Sequence, residues 1–461
     1  MERIAAIARH VCPTAVAAQS RELHGTDGTV VAVSTVRCRR FPSLCWVLVQ
    51  TSDGIVGLGE TTIQPAAVEA RVHETIAPYL LGQPALAVSR HARALRPMLG
   101  AGSSGVETRA NAAVDIALWD AWGKGTNQPI YQLLGGAWRD SCQVYATCLG
   151  GEKRSDGHDV AQSPGYGHTV RMETVVPNAA PTGPPIPAAD WPSPYSSDGA
   201  RSWSQPVELA KELLAEGITM MKIQMGPKIA AHKNRAPGRR DASPALTEAA
   251  MEEFVAPIAA IRKSLGSAME VAVDWHHQLD VASGIRLAKK LEPYSPRWIE
   301  DAVTFDSLQP VAQLASATSI PLCVSETMGG SAARFADVVS RTTCRHIMYD
   351  LGWLGGISVA REVAVVADAA ELPTSTHSQG PVQFAASAHL AVHCPGCELV
   401  EMVRASYYGY FQVCVAGSLS QFLTKLIHVL VRAKGCPGAT AASRGWFRES
   451  IARPWARDEA P

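Results

Sequence analysis

From residue 206 to about residue 401, helical and strand-like segments alternate along the chain. Stretches with helical spacing such as VELAKELLAEG are followed by a short apolar run such as ITMMKIQ, and one such unit recurs about every 25 residues. Successive helix–strand units require parallel strands joined by right-handed crossovers. A long series of such units closes most simply into a ring, so the sequence predicts an α/β fold with a (β/α) TIM-type barrel.

The residues ahead of this alternation show a different order of elements. Residues 29–50 carry two β-rich runs, and the later segment VETRANAAVDIALWDAWGKG has its apolar residues at helical spacing. Strands followed by helices predict an N-terminal α+β capping domain over residues 29–140. We take residues 1–28 as a leader that need not be ordered.

The barrel domain is predicted over residues 141–410. Within it, residues 150–205 are rich in Pro, Ser and Gly and lack hydrophobic periodicity, which predicts a disordered insertion. Residues 411–461 are taken as an atypical C-terminal tail, whose end is rich in Gly, Ala and Ser.

Charge and cysteine usage narrow the class of protein. Lys+Arg and Asp+Glu both total 42, so the chain lacks the basic excess that is typical of proteins binding nucleic acid or anionic membranes. No apolar run reaches the roughly 18 residues that a membrane span needs. We therefore expect neither nucleic acid nor a membrane as a partner. The 11 cysteines show no disulfide framework, which favours reduced thiols and a cytoplasmic location.

Six consecutive predicted strands end in an acid or a histidine. In chain order, at steps of 24 to 27 residues, these are Asp274, Glu300, Glu326, Asp350, His377 and Glu401. In a barrel of this type all strand ends meet at one mouth, where active sites of the fold lie. A turn-favouring aspartate explains one or two of these positions by chance. Glutamate is uncommon in strands and turns, so three glutamates favour an active site over a set of ordinary turns.

Asp274, Glu300 and Glu326 are the predicted metal ligands. Three carboxylates from adjacent strands offer only oxygen atoms, and such a donor set suits a hard divalent cation such as Mg²⁺. Without a cation, three converging negative charges would repel one another and raise one another's pKa values. Zinc would favour histidine or cysteine ligands and is the weaker interpretation.

Two histidines join the acids at the predicted mouth. Alternate residues of a strand share a face, so His276 is expected beside Asp274, whereas His277 points away. Asp350 ends the strand before His377 and is expected to accept a hydrogen bond from its imidazole. A metal and two imidazoles suit the removal of a proton next to a carboxylate: one histidine takes the proton and the other donates one to a departing hydroxide.

These residues resemble the mandelate racemase / muconate-lactonizing group of the enolase superfamily, from about residue 29 to about residue 411. The segments that carry the resemblance are ANAAVDIALWDAWGKGTNQPIYQLLGG, MKIQ, VDWH, WIED, SETMGG, DLGWLGGI and THSQGPV. The resemblance implies an Mg²⁺ site on the three carboxylates and a catalytic Asp350–His377 dyad. It also implies that Glu401 binds the substrate carboxylate.

Details within the group favour its acid-sugar dehydratases, and galactonate dehydratase above all. The family's Lys-x-Lys pair is here Lys222-Ile223-Gln224, and a glutamine cannot act as a base, which disfavours a lysine-driven racemase. Lys222, Gln224 and Glu401 are then the predicted substrate-binding residues, although Lys222 could instead be an ordinary solvated lysine. The Asp-x-His pattern ending in His276 implies that His377 abstracts the C2 proton. His276 then serves as general acid for loss of the 3-hydroxyl, which gives a 2-keto-3-deoxy sugar acid.

Two other functions remain open at this stage. A racemase or epimerase of a 2-hydroxy acid could use the same histidines without losing hydroxide. A catalytically silent member of the family could serve as a scaffold or binding protein. The expected partner in the leading interpretation is a small-molecule sugar acid, and a homo-oligomer is expected because the family is commonly oligomeric.

Overall fold

The computed structural model of the protein describes residues 15–22, 28–38, 43–97, 105–148, 152–153, 159–160, 205–224, 246–378 and 380–404. The predicted insertion at 150–205 lies almost wholly outside the described residues, and the predicted tail at 411–461 lies wholly outside them. Within the described residues, no helix is long and apolar enough to cross a membrane.

The first domain is built on a four-stranded antiparallel sheet. Its strands pair in chain order and are β1 (Ala15–Glu22), β2 (Val30–Cys38), β3 (Cys45–Thr51) and β4 (Val56–Thr61). The sheet therefore begins upstream of residue 29, within the segment 1–28 that was expected to be a leader. The β1 sequence AVAAQSRE holds one β-branched residue, so local propensity gives little signal, and pairing with β2 defines the strand.

Helices cover one side of this sheet. They are α1 (Pro65–Arg71), a π-helical turn (Val72–Ile76), α2 (Ala77–Leu80), α3 (Val88–Ala94), α4 (Val106–Thr126) and α5 (Ile130–Leu134). Helix α4 lies directly on β4. A Cβ atom on Gly57 or Gly59 would stand 1.9 Å or 1.7 Å from a backbone oxygen of α4, so only glycine permits this approach.

The second domain is a closed barrel of eight parallel strands. In chain order they are β5 (Gln143–Cys148), β8 (Met220–Gln224), β9 (Glu270–Asp274), β10 (Ile299–Glu300), β11 (Leu322–Val324), β12 (His346–Asp350), β13 (Thr374–His377) and β14 (Cys397–Val403). Strand β14 pairs with β5 and closes the ring. Two-residue strands β6 (Glu152–Lys153) and β7 (Asp159–Val160) form a separate antiparallel pair.

Helices between the strands form the outer layer of the barrel. They are α6 (Pro206–Ala215), α7 (Glu248–Leu265), α8 (Val281–Leu291), α9 (Leu308–Ala317), α10 (Ala332–Arg341), α11 (Leu351–Leu354), α12 (Ile357–Ala369) and α13 (Pro381–His393), with 3₁₀ turns at Gly266–Ala268, Glu292–Tyr294 and Glu326–Met328. Several begin at a side chain that accepts a backbone N–H, as Asp280 does for α8 and Ser331 for α10.

The barrel interior is filled rather than open. A separate buried cluster draws on residues in or next to seven of the eight strands: Tyr145, Met220, Ala272, Trp298, Cys323, Met348 and Leu399. This packing closes the interior, so polar chemistry is confined to the carboxyl ends of the strands, which we call the mouth. The predicted fold class, a (β/α) barrel with an N-terminal α+β domain, is confirmed.

Candidate active site

The structure brings the predicted strand-end residues together at the mouth. The five acids and the histidine are all buried, with exposed fractions of 6% or less. Four of them end a strand as predicted, whereas Glu326 lies two residues beyond β11 and Glu401 two residues before the end of β14. The strand register sets Asp274 level with Gln224 on one side and with Glu300 on the other. Asp350 and His377 are likewise direct partners across β12 and β13. The regular helix–strand spacing of the sequence therefore corresponds to matched levels on neighbouring strands in these two places.

Lys222 lies inside a buried ionic network and is not a solvated lysine. Its Nζ is 2.6 Å from Glu300 Oε1 and 3.1 Å from Glu401 Oε1. Tyr145 and Thr147 donate further hydrogen bonds to Glu401. Burial raises the pKa of Glu300 well above its usual range. Burial acts in the same direction on Glu401, but Lys222, His377 and the Thr147 hydrogen bond together outweigh it and lower the pKa. The two carboxylates thus share one ammonium group unequally.

Gln224 links the first acid to a histidine. Its Nε2 donates to Asp274 Oδ2 at 3.0 Å and lies 3.0 Å from His276 Nε2. The His276 imidazole stands 3.5 Å from Asp274 Oδ2, on the predicted side of the mouth. The backbone conformation that places His276 there is not the regular strand alternation that was expected. His276 has a φ of 46° and its N–H donates back to Asp274 Oδ1, so strand alternation does not extend to this residue.

Asp350 and His377 form a buried pair on the far side of the mouth. His377 Nδ1 is 2.5 Å from Asp350 Oδ2, while His377 Nε2 lies 3.6 Å from Glu326 Oε1. Asp350 Oδ1 also accepts the Trp353 N–H, which fixes the carboxylate at the start of α11. Burial alone would lower the pKa of His377, but its acidic neighbours, with Glu326 first among them, raise it to about 10.

The three predicted ligands suit a hard cation chemically. Glu326 Oε2 is buried without a hydrogen-bond partner, and burial raises the pKa of this carboxyl group. Asp274 is engaged by Gln224 and Glu300 by Lys222. Within the described residues, no group of three or more His, Cys, Asp or Glu side chains is arranged to hold a metal ion. The ligand set therefore stays a prediction, supported by the oxygen donors and by the unsatisfied Glu326 atom.

The sequence did not predict a polar cluster that lies in the segments directly after the strands of the predicted metal ligands. His277, which was expected to point away from the mouth, has its Nε2 3.0 Å from Asp301 Oδ2. Burial would lower the pKa of His277, but the Asp301 carboxylate outweighs it and raises the pKa to about 9. Asp301 also accepts hydrogen bonds from Ser325 and Thr327. The available signal was a polar residue directly after two of the acids, Asp301 after Glu300 and Thr327 after Glu326.

Glu60 of the first domain was also missed. Its Oε1 accepts the Val382 and Gln383 N–H groups at 3.2 and 3.3 Å, and Trp46 Nε1 donates to its Oε2 at 3.0 Å. Burial raises the pKa of Glu60 to about 8. The carboxyl group therefore joins the first domain to the start of α13, the helix that follows His377.

Asp115 of α4 makes an equivalent contact with α12. Its side chain accepts the Ser358 N–H at 3.0 Å and the Ser358 hydroxyl at 2.6 Å, and burial raises its pKa to about 7. Nearby, Arg109 of α4 lies 3.7 Å above the ring of Trp353. The Trp353 ring in turn makes an edge contact with His377. The first domain thus reaches the neighbourhood of the candidate active site.

Two family models match the chain. One, described as the mandelate racemase / muconate lactonizing enzyme N-terminal domain, matches residues 14–135. The other, described as enolase C-terminal domain-like, matches residues 205–426. The two matches correspond to the sheet domain and to the greater part of the barrel.

Individual proteins agree with these matches. A D-galactonate dehydratase family member from Streptomyces bingchenggensis is 25% identical over 402 residues, which cover 85% of this chain and 85% of that protein. A D-mannonate dehydratase from Sphingomonas sp. is 27% identical over 366 residues, 77% of this chain and 80% of that protein. A solved enolase of the mandelate racemase subgroup from Agrobacterium tumefaciens is 34% identical with a TM-score of 0.65, covering 82% of this chain and 86% of that chain. The chain therefore belongs to the mandelate racemase / muconate lactonizing enzyme group of the enolase superfamily, and it is an enzyme of the hydro-lyase class.

Proposed function

We propose that the protein is an Mg²⁺-dependent acid-sugar dehydratase. It removes the C2 proton next to a carboxylate and expels the 3-hydroxyl as water, which gives a 2-keto-3-deoxy sugar acid. The observation that carries this proposal is the meeting of the Asp350–His377 pair and His276 at one mouth with three acidic strand ends. The dehydratase names of the two curated relatives support the reaction class.

Magnesium is the proposed cofactor, since members of the enolase superfamily generally bind it. In this chain Asp274, Glu300 and Glu326 would hold the ion. When bound, Mg²⁺ supplies positive charge that stabilises the substrate carboxylate and the negative charge that develops as the C2 proton leaves.

His377 is the proposed base. Because its Nδ1 faces the Asp350 carboxylate at 2.5 Å, Nδ1 carries the proton and Nε2 is the atom that accepts the C2 proton. The raised pKa of His377 has Glu326 as its first acidic cause. A cation on Glu326 would offset this charge and bring the imidazole towards the range in which a base works at neutral pH.

His276 is the proposed acid. Its Nε2 lies 3.5 Å from the Asp274 carboxylate, and in its protonated form the imidazole can donate a proton to the departing 3-hydroxyl. The water that leaves therefore consists of the substrate hydroxyl and the proton from His276. Lys222, Gln224 and Glu401 remain the proposed substrate-binding residues, with Lys222 and Glu401 already paired at 3.1 Å.

A second candidate reaction is epimerisation or racemisation at C2. Two imidazoles at one mouth, His276 and His377, favour it, because one could remove the proton and the other return it from the opposite face. The two candidates share the first step and differ in the fate of the 3-hydroxyl. The homo-oligomer and the cytoplasmic location stay predictions.

A screen of sugar acids separates the candidates. The purified full-length chain is incubated with Mg²⁺ and sugar acids, beginning with D-galactonate and D-mannonate, and 2-keto products are detected by semicarbazide absorbance. We expect keto product from wild type and none from the matched variant His377→Asn. Exchange of solvent deuterium into C2 without keto product would establish epimerisation instead. An absence of both product and exchange across the collection would contradict the proposed function.

A further inference from the structure

Asp301 is a fully buried carboxylate that the proposed chemistry does not use. Its Oδ2 accepts hydrogen bonds from Ser325 Oγ at 2.6 Å and Thr327 Oγ1 at 2.7 Å, and lies 3.0 Å from His277 Nε2. Its Oδ1 accepts the Ser325 N–H at 3.2 Å. One carboxyl group therefore joins the chain segments that follow β9, β10 and β11.

Backbone hydrogen bonds tie the same segments together beyond the strands. The His277 N–H donates to the Asp301 carbonyl at 2.6 Å, and the Asp301 N–H donates to the Cys323 carbonyl at 3.3 Å. His276, His277 and Asp301 have φ values of 46°, 59° and 44°. Non-glycine residues adopt this left-handed conformation only where the surroundings hold them in it.

His277 is itself held on both ring nitrogens. Nδ1 donates to the Val303 carbonyl at 2.7 Å, and Nε2 lies 2.7 Å from the Thr327 hydroxyl and 3.0 Å from the Asp301 carboxylate. The Phe305 ring packs edge-on against the imidazole at 4.6 Å between centroids. A histidine fixed in this way is not free to carry protons to and from a substrate, so its contacts point to a positional role.

The members of this cluster stand next to the proposed metal ligands in the chain. Asp301 directly follows Glu300, Ser325 and Thr327 flank Glu326, and His277 is three residues beyond Asp274. We propose that His277, Asp301, Ser325 and Thr327, the strand-end clamp, are positioning residues that set the distances between the three carboxylates. This inference rests on the proposed Mg²⁺-dependent function and adds residues that contact neither the ion nor the substrate.

The decisive variant is Asp301→Asn, which keeps the size of the side chain and removes its charge. We expect the dissociation constant for Mg²⁺, measured by isothermal titration of EDTA-treated full-length protein, to rise about 10- to 100-fold, as is usual when residues that orient metal ligands are replaced. The Mg²⁺ concentration for half-maximal activity should rise in parallel. Saturating Mg²⁺ should restore most of kcat, since no reacting group has been removed.

Thr327→Val is the milder variant in case Asp301→Asn does not fold. It removes one hydroxyl and keeps the branched shape, so we expect Mg²⁺ binding to weaken by about tenfold or less. Asp115→Asn is the matched control. Asp115 is also a buried, hydrogen-bonded aspartate, but it lies at the contact between the domains and not beside a predicted metal ligand. It should lower the melting temperature and leave the Mg²⁺ dissociation constant unchanged.

The outcomes separate the clamp from the function on which it rests. Wild type that neither binds Mg²⁺ nor dehydrates sugar acids overturns both proposals. Wild type that does both, together with Asp301→Asn and Thr327→Val variants that melt earlier but bind Mg²⁺ as wild type does, overturns the clamp alone. Weakened binding in either clamp variant, with Asp115→Asn unchanged, supports it.

Discussion

Two groups of buried carboxylates in this protein have opposite surroundings. At the contact between the domains, Glu60 accepts two backbone N–H groups and an indole N–H, and Asp115 accepts a backbone N–H and a hydroxyl. At the mouth, Glu300 shares one ammonium with another acid, and Glu326 has a buried oxygen without a partner. Burial raises the pKa in all four of these carboxyl groups.

The two groups differ in the hydrogen-bond donors that the protein itself supplies to the carboxyl oxygens. The interface carboxyl groups receive hydrogen-bond donors from helix N-termini, so their oxygens are satisfied by the protein without any ligand. The mouth carboxylates face like charges, and Glu326 has a buried oxygen without a partner, both of which cost folding free energy. The first group therefore acts as structure, and the second is suited to receive positive charge from outside the chain.

The largest expected effect is on catalysis at the mouth. His377→Asn should lower kcat for sugar-acid dehydration by about 10²- to 10⁴-fold, because the proposed base is removed. Steady-state kinetics at saturating Mg²⁺ measures this. The melting temperature should stay near that of wild type, and a variant that retains full activity would rule out His377 as the base.

Removal of one mouth charge should weaken ion binding without weakening the fold. In Glu326→Gln, thermal denaturation in EDTA should occur at or above the wild-type temperature, because repulsion among the acids is relieved. Added Mg²⁺ should stabilise wild type and leave this variant unaffected. A clear loss of stability in EDTA would show that Glu326 stabilises the fold as the interface carboxylates do, and would contradict the division into two groups.

Removal of one interface charge should have the reverse effect. Asp115→Asn should lower the free energy of unfolding by about 1–3 kcal/mol, because the Ser358 N–H and hydroxyl lose a charged acceptor. Chemical denaturation measures the change. Mg²⁺ binding as in wild type would support the division between the two groups, whereas a matching loss of Mg²⁺ affinity would show that the domain contact also shapes the mouth.

The last expected effect is on the pH dependence of stability. The pKa of Glu60 is about 8 in the folded chain against a usual 4.5, so the native state holds a proton that the unfolded state has released. Its contribution is fully present below pH 4.5 and is lost as pH rises through about 8. The slope is at most about 1.4 kcal/mol per pH unit. Glu60→Gln should flatten denaturation midpoints over this window, and an unchanged slope would contradict the assignment.

The barrel and the acidic strand ends could be predicted because both follow from local periodicity. Each helix–strand unit repeats at nearly constant spacing, so the sequence alone places Asp274 and Glu300 at one level, as the strand register has them. The alternation argument failed where the backbone left the strand. His277 adopts a left-handed conformation and turns towards Asp301, which no two-residue period can show.

Contacts between distant segments left no local signal either. Glu60 bonds to residues 322 and 323 positions away, and Asp115 to a residue 243 positions away. Burial of Lys222 between Glu300 and Glu401 likewise depends on closure of the ring, since the three residues lie on different strands. Sequence patterns identified which residues reach the mouth, whereas partner choice there is set by three-dimensional packing.

The most direct test is anomalous diffraction from crystals of the full-length chain soaked in Mn²⁺, which replaces Mg²⁺ at oxygen sites. We expect a single strong peak at the mouth, about 2.2 Å from oxygens of Asp274, Glu300 and Glu326. A mouth without a peak, or an ion that leaves any one of these three carboxylates uncoordinated, would contradict the account.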